Sequence, residues 1–174
     1  MKYILLLRGI NVGTKGRVEM KRLKALLESL GYQNIFTYIN SGNVILETTK
    51  NKKVLEKTIP ETLKKEFGFE IPTLVKTEQE IQNIAKAIPK QWQNDLTYKT
   101  DVAYLFPEID SVKTIAELPI NKDFIDVRYV KGALFWNVER RNYNKSRINK
   151  LIGNKLYQLM TVRNVNTARY LAGE

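Results

Sequence analysis

The chain of 174 residues contains neither cysteine nor histidine. The first absence excludes disulfides, thiol nucleophiles and thiolate metal sites. The second removes the usual general base and every Ser-His or Cys-His catalytic arrangement. Carboxylates are scattered, without paired spacing or a metal-ligand pattern, so no metal or cofactor is expected. No apolar run approaches membrane-spanning length. The apolar stretch Tyr3–Leu7 is closed by Arg8, unlike a secretory leader, and the expected location is cytoplasmic.

Acidic charge is also scarce: 29 Lys and Arg stand against 18 Asp and Glu, a net charge of +11. The imbalance is concentrated at the two ends. From Arg140 to Gly173 there is no Asp or Glu, while Arg140, Arg141, Lys145, Arg147, Lys150, Lys155, Arg163 and Arg169 are all basic. From Met1 to Leu27, Glu19 is the lone acid among Lys2, Arg8, Lys15, Arg17, Lys21, Arg22 and Lys24. Such blocks favour an anionic partner such as nucleic acid, nucleotide or phosphorylated metabolite, with a merely solvated basic surface as the equal alternative.

What is present reads as an alternation of short strands and amphipathic helices. Tyr3–Leu7 is a continuous apolar run, as in a central strand. Met20, Leu23, Leu26, Leu27 and Leu30 recur at helical spacing and Gly31 supplies the stop. Ile35–Ile39 and Val44–Leu46 flank Asn40-Ser41-Gly42, a hairpin signal. Leu55, Ile59, Leu63 and Phe67 mark a second helix, with Pro60 predicted to kink or split it. Thr73–Val75 is a fourth strand, which completes the order β-α-β-β-α-β of a ferredoxin-like unit.

Thr77–Glu80 reads as a capping box ahead of a connecting helix that ends at Pro89. Lys90–Thr100 then reads as a linker. The pattern restarts with a strand at Val102–Phe106, a short helix capped by Asp110 or Ser111, and a hairpin about Lys131-Gly132. A helix through Ile148, Leu151, Ile152, Leu156 and Leu159 follows. The end departs from the plan: Asn166–Leu171 reads as a helix, with Asn166 a good N-cap, rather than as a fourth strand. The predicted class is therefore α+β: two ferredoxin-like units, the second degenerate at its C-terminal end. The expected organisation is residues 1–76, a connecting helix and linker over 77–100, and a second unit over 101–174. Strand parity places the Arg8–Arg17 loop and the Asn40–Asn43 tip at the same end of the first sheet.

Three segments share a chemistry of neutral amides and arginine: Leu6-Leu7-Arg8-Gly9-Ile10-Asn11-Val12-Gly13, Thr37-Tyr38-Ile39-Asn40-Ser41-Gly42-Asn43-Val44, and Thr161-Val162-Arg163-Asn164-Val165-Asn166-Thr167 preceded by Lys145-Ser146. In this they resemble the family called domain of unknown function 1697, along essentially the whole chain. The resemblance implies a pair of ferredoxin-like units in a bacterial-type protein with no established activity. The chain carries Thr14 where the family pattern usually has a second glycine. It carries Val165 where tryptophan is frequent, so no ring is offered for stacking there.

Gly9–Arg17 does not fit a phosphate loop, because Gly13-Thr14-Lys15 breaks the Walker spacing, and G-x-G-x-x-G is also absent. Lys131-Gly132-Ala133-Leu134-Phe135-Trp136 meets only part of an RNA-recognition signature and fits an ordinary core hairpin. Ser41 and Ser146 could act as nucleophiles only with a lysine base, and Lys145, adjacent to Ser146, would point elsewhere on a helix. Amides orient ligands well and move protons poorly. The expected function is thus non-catalytic binding of an anionic ligand, nucleic acid or nucleotide. The expected contacts are Arg8, Asn11, Lys15, Arg17, Ser41, Asn43, Lys145, Arg163, Asn164 and Thr167. An enzyme acting on a small phosphorylated or carboxylated substrate and a protein-interaction module are the alternatives. The sequence leaves the oligomeric state open.

Overall fold

The computed structural model describes residues 1–14 and 16–174. The chain divides into two compact units, Met1–Gln79 and Glu80–Glu174.

The first unit contains β1 (Lys2–Leu7), α1 (Met20–Ser29), β2 (Gln33–Tyr38), β3 (Asn43–Glu47), α2 (Lys52–Phe67) and β4 (Thr73–Thr77). Its strands form an antiparallel sheet in the order β2-β3-β1-β4. Alternate residues of β1, Tyr3, Leu5 and Leu7, face the helices and pack with Leu23 and Leu27 of α1 and with Leu55, Ile59 and Leu63 of α2. The period of two on the strand meets the i, i+4 spacing on the helix, and this fixes which helix face turns inward.

α2 is one continuous helix despite Pro60. The proline sacrifices a single intrahelical bond, to the carbonyl of exposed Glu56, while Leu55, Ile59 and Leu63 hold the helix to the core on both sides of it. Asn51 caps the start, its side chain accepting from the Val54 N–H at 3.0 Å. Gly68 ends it in the left-handed conformation.

The second unit contains most of α3 (Glu78–Ala87), then β5 (Tyr98–Leu105), α4 (Thr114–Glu117), β6 (Asp126–Val130), β7 (Ala133–Glu139), β8 (Met160–Asn164) and α5 (Val165–Leu171). Its sheet runs β6-β7-β5-β8, again fully antiparallel and in the same order as the first. The core face carries Ala103, Leu105, Leu134, Trp136, Val138 and Met160, packed on Ile148, Leu151 and Leu156. Trp92 stands edge-on to Phe135 with ring centroids 5.9 Å apart. Arg169 of α5 donates to the carbonyl oxygens of Pro89 and Trp92 at 3.2 and 3.0 Å.

Two features differ from the sequence expectation. A fourth strand does exist in the second unit: Thr161 and Val162, read as part of a polar segment, lie in β8 against β5. Between β7 and β8 the expected α-helix is replaced by 3₁₀ turns at Arg140–Asn142, Ile148–Leu151 and Lys155–Leu159. Arg147 in the left-handed region, at φ 61°, and Asn154 in an extended cap conformation interrupt any continuous helix there.

The duplication is explicit in the hydrogen bonds. Leu7 N–H donates to Gly42 O at 2.8 Å, and Leu105 N–H donates to Gly132 O at 3.0 Å. One residue further on, Arg8 N–H donates to Pro72 O and Phe106 N–H to Leu159 O, both at 2.9 Å. In each unit the end of the first strand is thus tied to the hairpin tip and to the segment entering the last strand.

Candidate anion-binding surfaces and a polar cavity

In the first unit the loop after β1 and the β2–β3 tip meet, as strand parity requires. Asn11 is the clamp. Its Nδ2 donates to Val18 O and to Asn40 O, each at 2.9 Å, and its Oδ1 accepts from Val18 N–H at 2.9 Å. The residue adopts φ 54°, a conformation asparagine tolerates better than most side chains. Asn43 is fully buried; its amide donates to Tyr38 O at 3.1 Å and to Ser41 Oγ at 2.9 Å. The tip itself requires glycine: a Cβ on Gly42, at φ 80°, would lie 2.7 Å from the Leu7 Cβ.

Arg8 is half-buried at the start of this loop and Arg17 is exposed near its end. Arg17 lines an open cleft of about 620 Å³ together with Asn11, Gly13, Glu19 and Asn40. Glu19 places a carboxylate in the same cleft, so the field there is mixed rather than purely cationic. Lys15 lies outside the described residues.

The other sequence candidates belong to the second unit. Lys145 is exposed, with its ammonium 5.6 Å from the centre of the Phe124 ring. Its neighbour Ser146 is fully buried; the hydroxyl donates to Tyr143 O at 2.6 Å and accepts from Ile148 N–H at 3.3 Å, holding a turn. Asn164, not Asn166, caps α5, its Oδ1 accepting from the N–H of buried Thr167 at 2.9 Å. The helix starts one residue earlier than the sequence suggests because β8 runs directly into it.

Arg163 sits on β8 with 8% of its surface exposed. Its Nη1 donates to Thr161 Oγ1 and Val162 O, both at 2.8 Å. Burial pulls its guanidinium down to about 10, against the opposing pull of Tyr104 and Tyr157. Tyr104 is fully buried, its hydroxyl has no hydrogen-bond partner among the described residues, and burial pushes its phenol above the ordinary tyrosine range.

The 3₁₀ segment between β7 and β8 concentrates cationic charge at the surface. Arg140, Arg141, Lys145, Arg147, Lys150 and Lys155 are all exposed. Two are engaged locally: Arg140 donates to Asp95 O and Asn94 Oδ1, and Arg141 pairs with Glu139. No salt bridge holds Lys145, Arg147, Lys150 or Lys155 among the described residues. The same segment walls a half-open cavity of about 360 Å³ against the sheet, lined by Tyr143, Leu151, Ile152 and Tyr157 from the segment and by Lys99, Asp101, Trp136, Arg163 and Asn164 from the strands. The sequence does not single out Asp101, and it assigns Trp136 to an ordinary core hairpin. Their proximity is a matter of strand register, Asp101 standing opposite Trp136 on β7 and opposite Asn164 on β8.

The β5-to-α4 loop of this unit has a clamp of its own. Asp110 Oδ1 accepts from Gly132 N–H at 2.8 Å and from the Tyr129 hydroxyl at 3.0 Å, and Oδ2 pairs with Lys131 at 2.9 Å. No helix among the described residues is long and apolar enough to cross a membrane. None of their carboxylates gather into a group of three suited to hold a metal ion.

Two successive copies of one β-α-β-β plan, with polar loops pinned to each hairpin, define a duplicated α+β protein. The chain belongs to the DUF1697 family of proteins of unknown function, whose model matches residues 1–136. It is similar to a conserved bacterial protein, SP0830 from Streptococcus pneumoniae, of known structure. The two share 26% sequence identity with a TM-score of 0.81, over 99% of this chain and 97% of that one. No curated protein matches it.

Proposed function

We propose that the protein is a non-catalytic binder of nucleic acid or nucleotides, and that the 3₁₀ segment from Arg140 to Lys155 is its main contact. One observation carries this reading: four exposed cations, Lys145, Arg147, Lys150 and Lys155, follow one another along a stretch that contains no acid, and none of them is neutralised by a salt bridge among the described residues. Phosphate oxygens are the natural complement, and release of their counterions supplies the free energy. Arg163 and Asn164 on the following strand, with Thr167 behind them, extend this polar region. Arg8, Asn11, Lys15, Arg17, Ser41 and Asn43 form a subordinate contact in the first unit. There Glu19 opposes an anion, and the amides of Asn11 and Asn43 serve the hairpin.

The test is a salt titration of a fluorescently labelled single-stranded oligonucleotide followed by anisotropy. Affinity should fall steeply between about 50 and 200 mM salt, with a log–log slope near −3 for about four phosphates neutralised. No detectable binding at the lower salt would refute the proposal.

A further inference from the structure

The cavity beneath the basic segment has a polarity of its own, which the surface charge does not explain. Trp136 is 3% exposed, and its indole N–H is buried with no hydrogen-bond partner among the described residues. A buried donor left in this state is costly, and a ligand acceptor would recover that cost. Asp101, 6% exposed, is its cross-strand neighbour. The carboxylate uses Oδ2 for Lys99 at 2.9 Å, and no hydrogen bond occupies Oδ1 among the described residues. Asn164, the next residue in the row, spends its Oδ1 on the α5 cap, leaving its Nδ2 as a donor.

Trp136, Asp101 and Asn164 therefore present a donor, an acceptor and a donor on three adjacent strands. Strand spacing makes the row about 10 Å long. That is too long for the edge of a single base and matches a base with its sugar attached. Tyr143 and Tyr157 add aromatic surface to the opposite wall. The volume of about 360 Å³ falls within the range of small-ligand sites. Lys99 and Asp101 neutralise each other, and the buried Arg163 that also lines the cavity donates to Thr161 Oγ1 and Val162 O. A ring can lie inside while the cations of the segment remain outside, where phosphates would lie.

We infer that this cavity is a nucleoside site, which takes a purine ring against Trp136 and the two tyrosines and a sugar or exocyclic amine on Asp101. The inference builds on the nucleic-acid reading above and names the part of the ligand that the basic surface does not read. The base comes either from a free nucleotide or from an unpaired position of a strand.

Calorimetric titration of the whole protein with adenosine and guanosine tests it, because neither carries a phosphate. Saturable binding is expected, with affinity changing less than about 2-fold between 50 and 200 mM salt, since no counterions are released. Trp136→Phe, which keeps the ring and removes the N–H, should weaken it by about 5-fold or more. If that variant does not fold, Ile152→Glu decides: the residue is 67% exposed at the cavity wall, so the fold tolerates it while the charge obstructs a neutral ring. Binding of neither nucleoside, or binding that Ile152→Glu leaves unchanged, overturns the inference. Oligonucleotide binding without nucleoside binding overturns the cavity alone. The reverse result keeps the cavity and overturns the basic surface. A strand that competes with adenosine identifies an unpaired base as the source, and a mononucleotide that competes while a strand does not identifies the free form.

Discussion

Asn11 and Asp110 occupy corresponding loops of the two units, and each fastens its own hairpin: Asn11 Nδ2 reaches Asn40 O at 2.9 Å, and Asp110 Oδ1 receives Gly132 N–H at 2.8 Å. The amide can donate as well as accept, and so it binds carbonyls. The carboxylate can only accept, and its partners are an N–H, a hydroxyl and an ammonium.

Asn11→Ala removes three hydrogen bonds and places alanine at φ 54°. A loss of about 2–4 kcal/mol follows, read as a lower urea midpoint at unchanged slope. Asn11→Asp should be nearly as damaging, because the carboxylate would face two carbonyl oxygens. An unchanged midpoint for both variants would show that the clamp contributes nothing.

Acid should loosen the second unit through Asp110. Burial raises its carboxyl, but the bonds from Lys131, Gly132 N–H and Tyr129 outweigh this and hold it below the ordinary 3.8. A carboxylate lowered in the folded state binds fewer protons there than when unfolded. Its contribution is therefore complete above about pH 4 and is lost as pH falls through the lowered value. The stability gap between wild type and Asp110→Asn, measured by denaturation from about pH 6 to pH 3, should narrow towards the acid end. A gap that stays constant would contradict the assignment.

Two glycines in the left-handed region should respond differently to alanine. At Gly31, φ 82°, a Cβ meets nothing within 4 Å, so only backbone strain of about 1 kcal/mol is expected. At Gly42 the added carbon would also strike the Leu7 and Ile10 side chains at 2.7 and 2.9 Å, and the cost should exceed that of Gly31→Ala by at least about 1 kcal/mol. Equal thermal midpoints for the two would be inconsistent with these contacts.

Pro60→Ala should stabilise α2. Alanine restores the N–H donor towards Glu56 O, and this outweighs the greater freedom of the unfolded chain by about 1 kcal/mol. A lower melting temperature would mean that the proline ring makes a contact worth more than the missing bond.

Each of Arg147→Gln, Lys150→Gln and Lys155→Gln should reduce the salt slope of oligonucleotide binding by about 1 and weaken all sequences alike. A variant that alters preference among sequences without changing the slope would place that residue on bases rather than phosphates.

The order of elements was legible because Tyr3–Leu7 and Val102–Phe106 alternate with helical stripes that each bury one face. Spacing alone misled at Ile148–Leu159, where the apolar positions suit a helix but Arg147 and Asn154 break the backbone into 3₁₀ turns. β8 was hidden by Arg163 and Asn164, polar residues that read as a loop and are strand residues paired with Val102 and Asp101. The polar row on the cavity wall could not be read from the chain, because Asp101, Trp136 and Asn164 become neighbours only through strand register. Asp110 was noticed as a helix cap, and its tie to Gly132 likewise spans distant sequence.

The wall built of 3₁₀ turns has a dynamic consequence. Each such piece closes on its own third residue and owes little to the next, so one turn can come undone while its neighbours stay shut. Amide protons from Arg140 to Leu159 should exchange with deuterium well before those of α2, whose ladder opens cooperatively. A guest larger than the resting mouth could then enter by lifting a single turn.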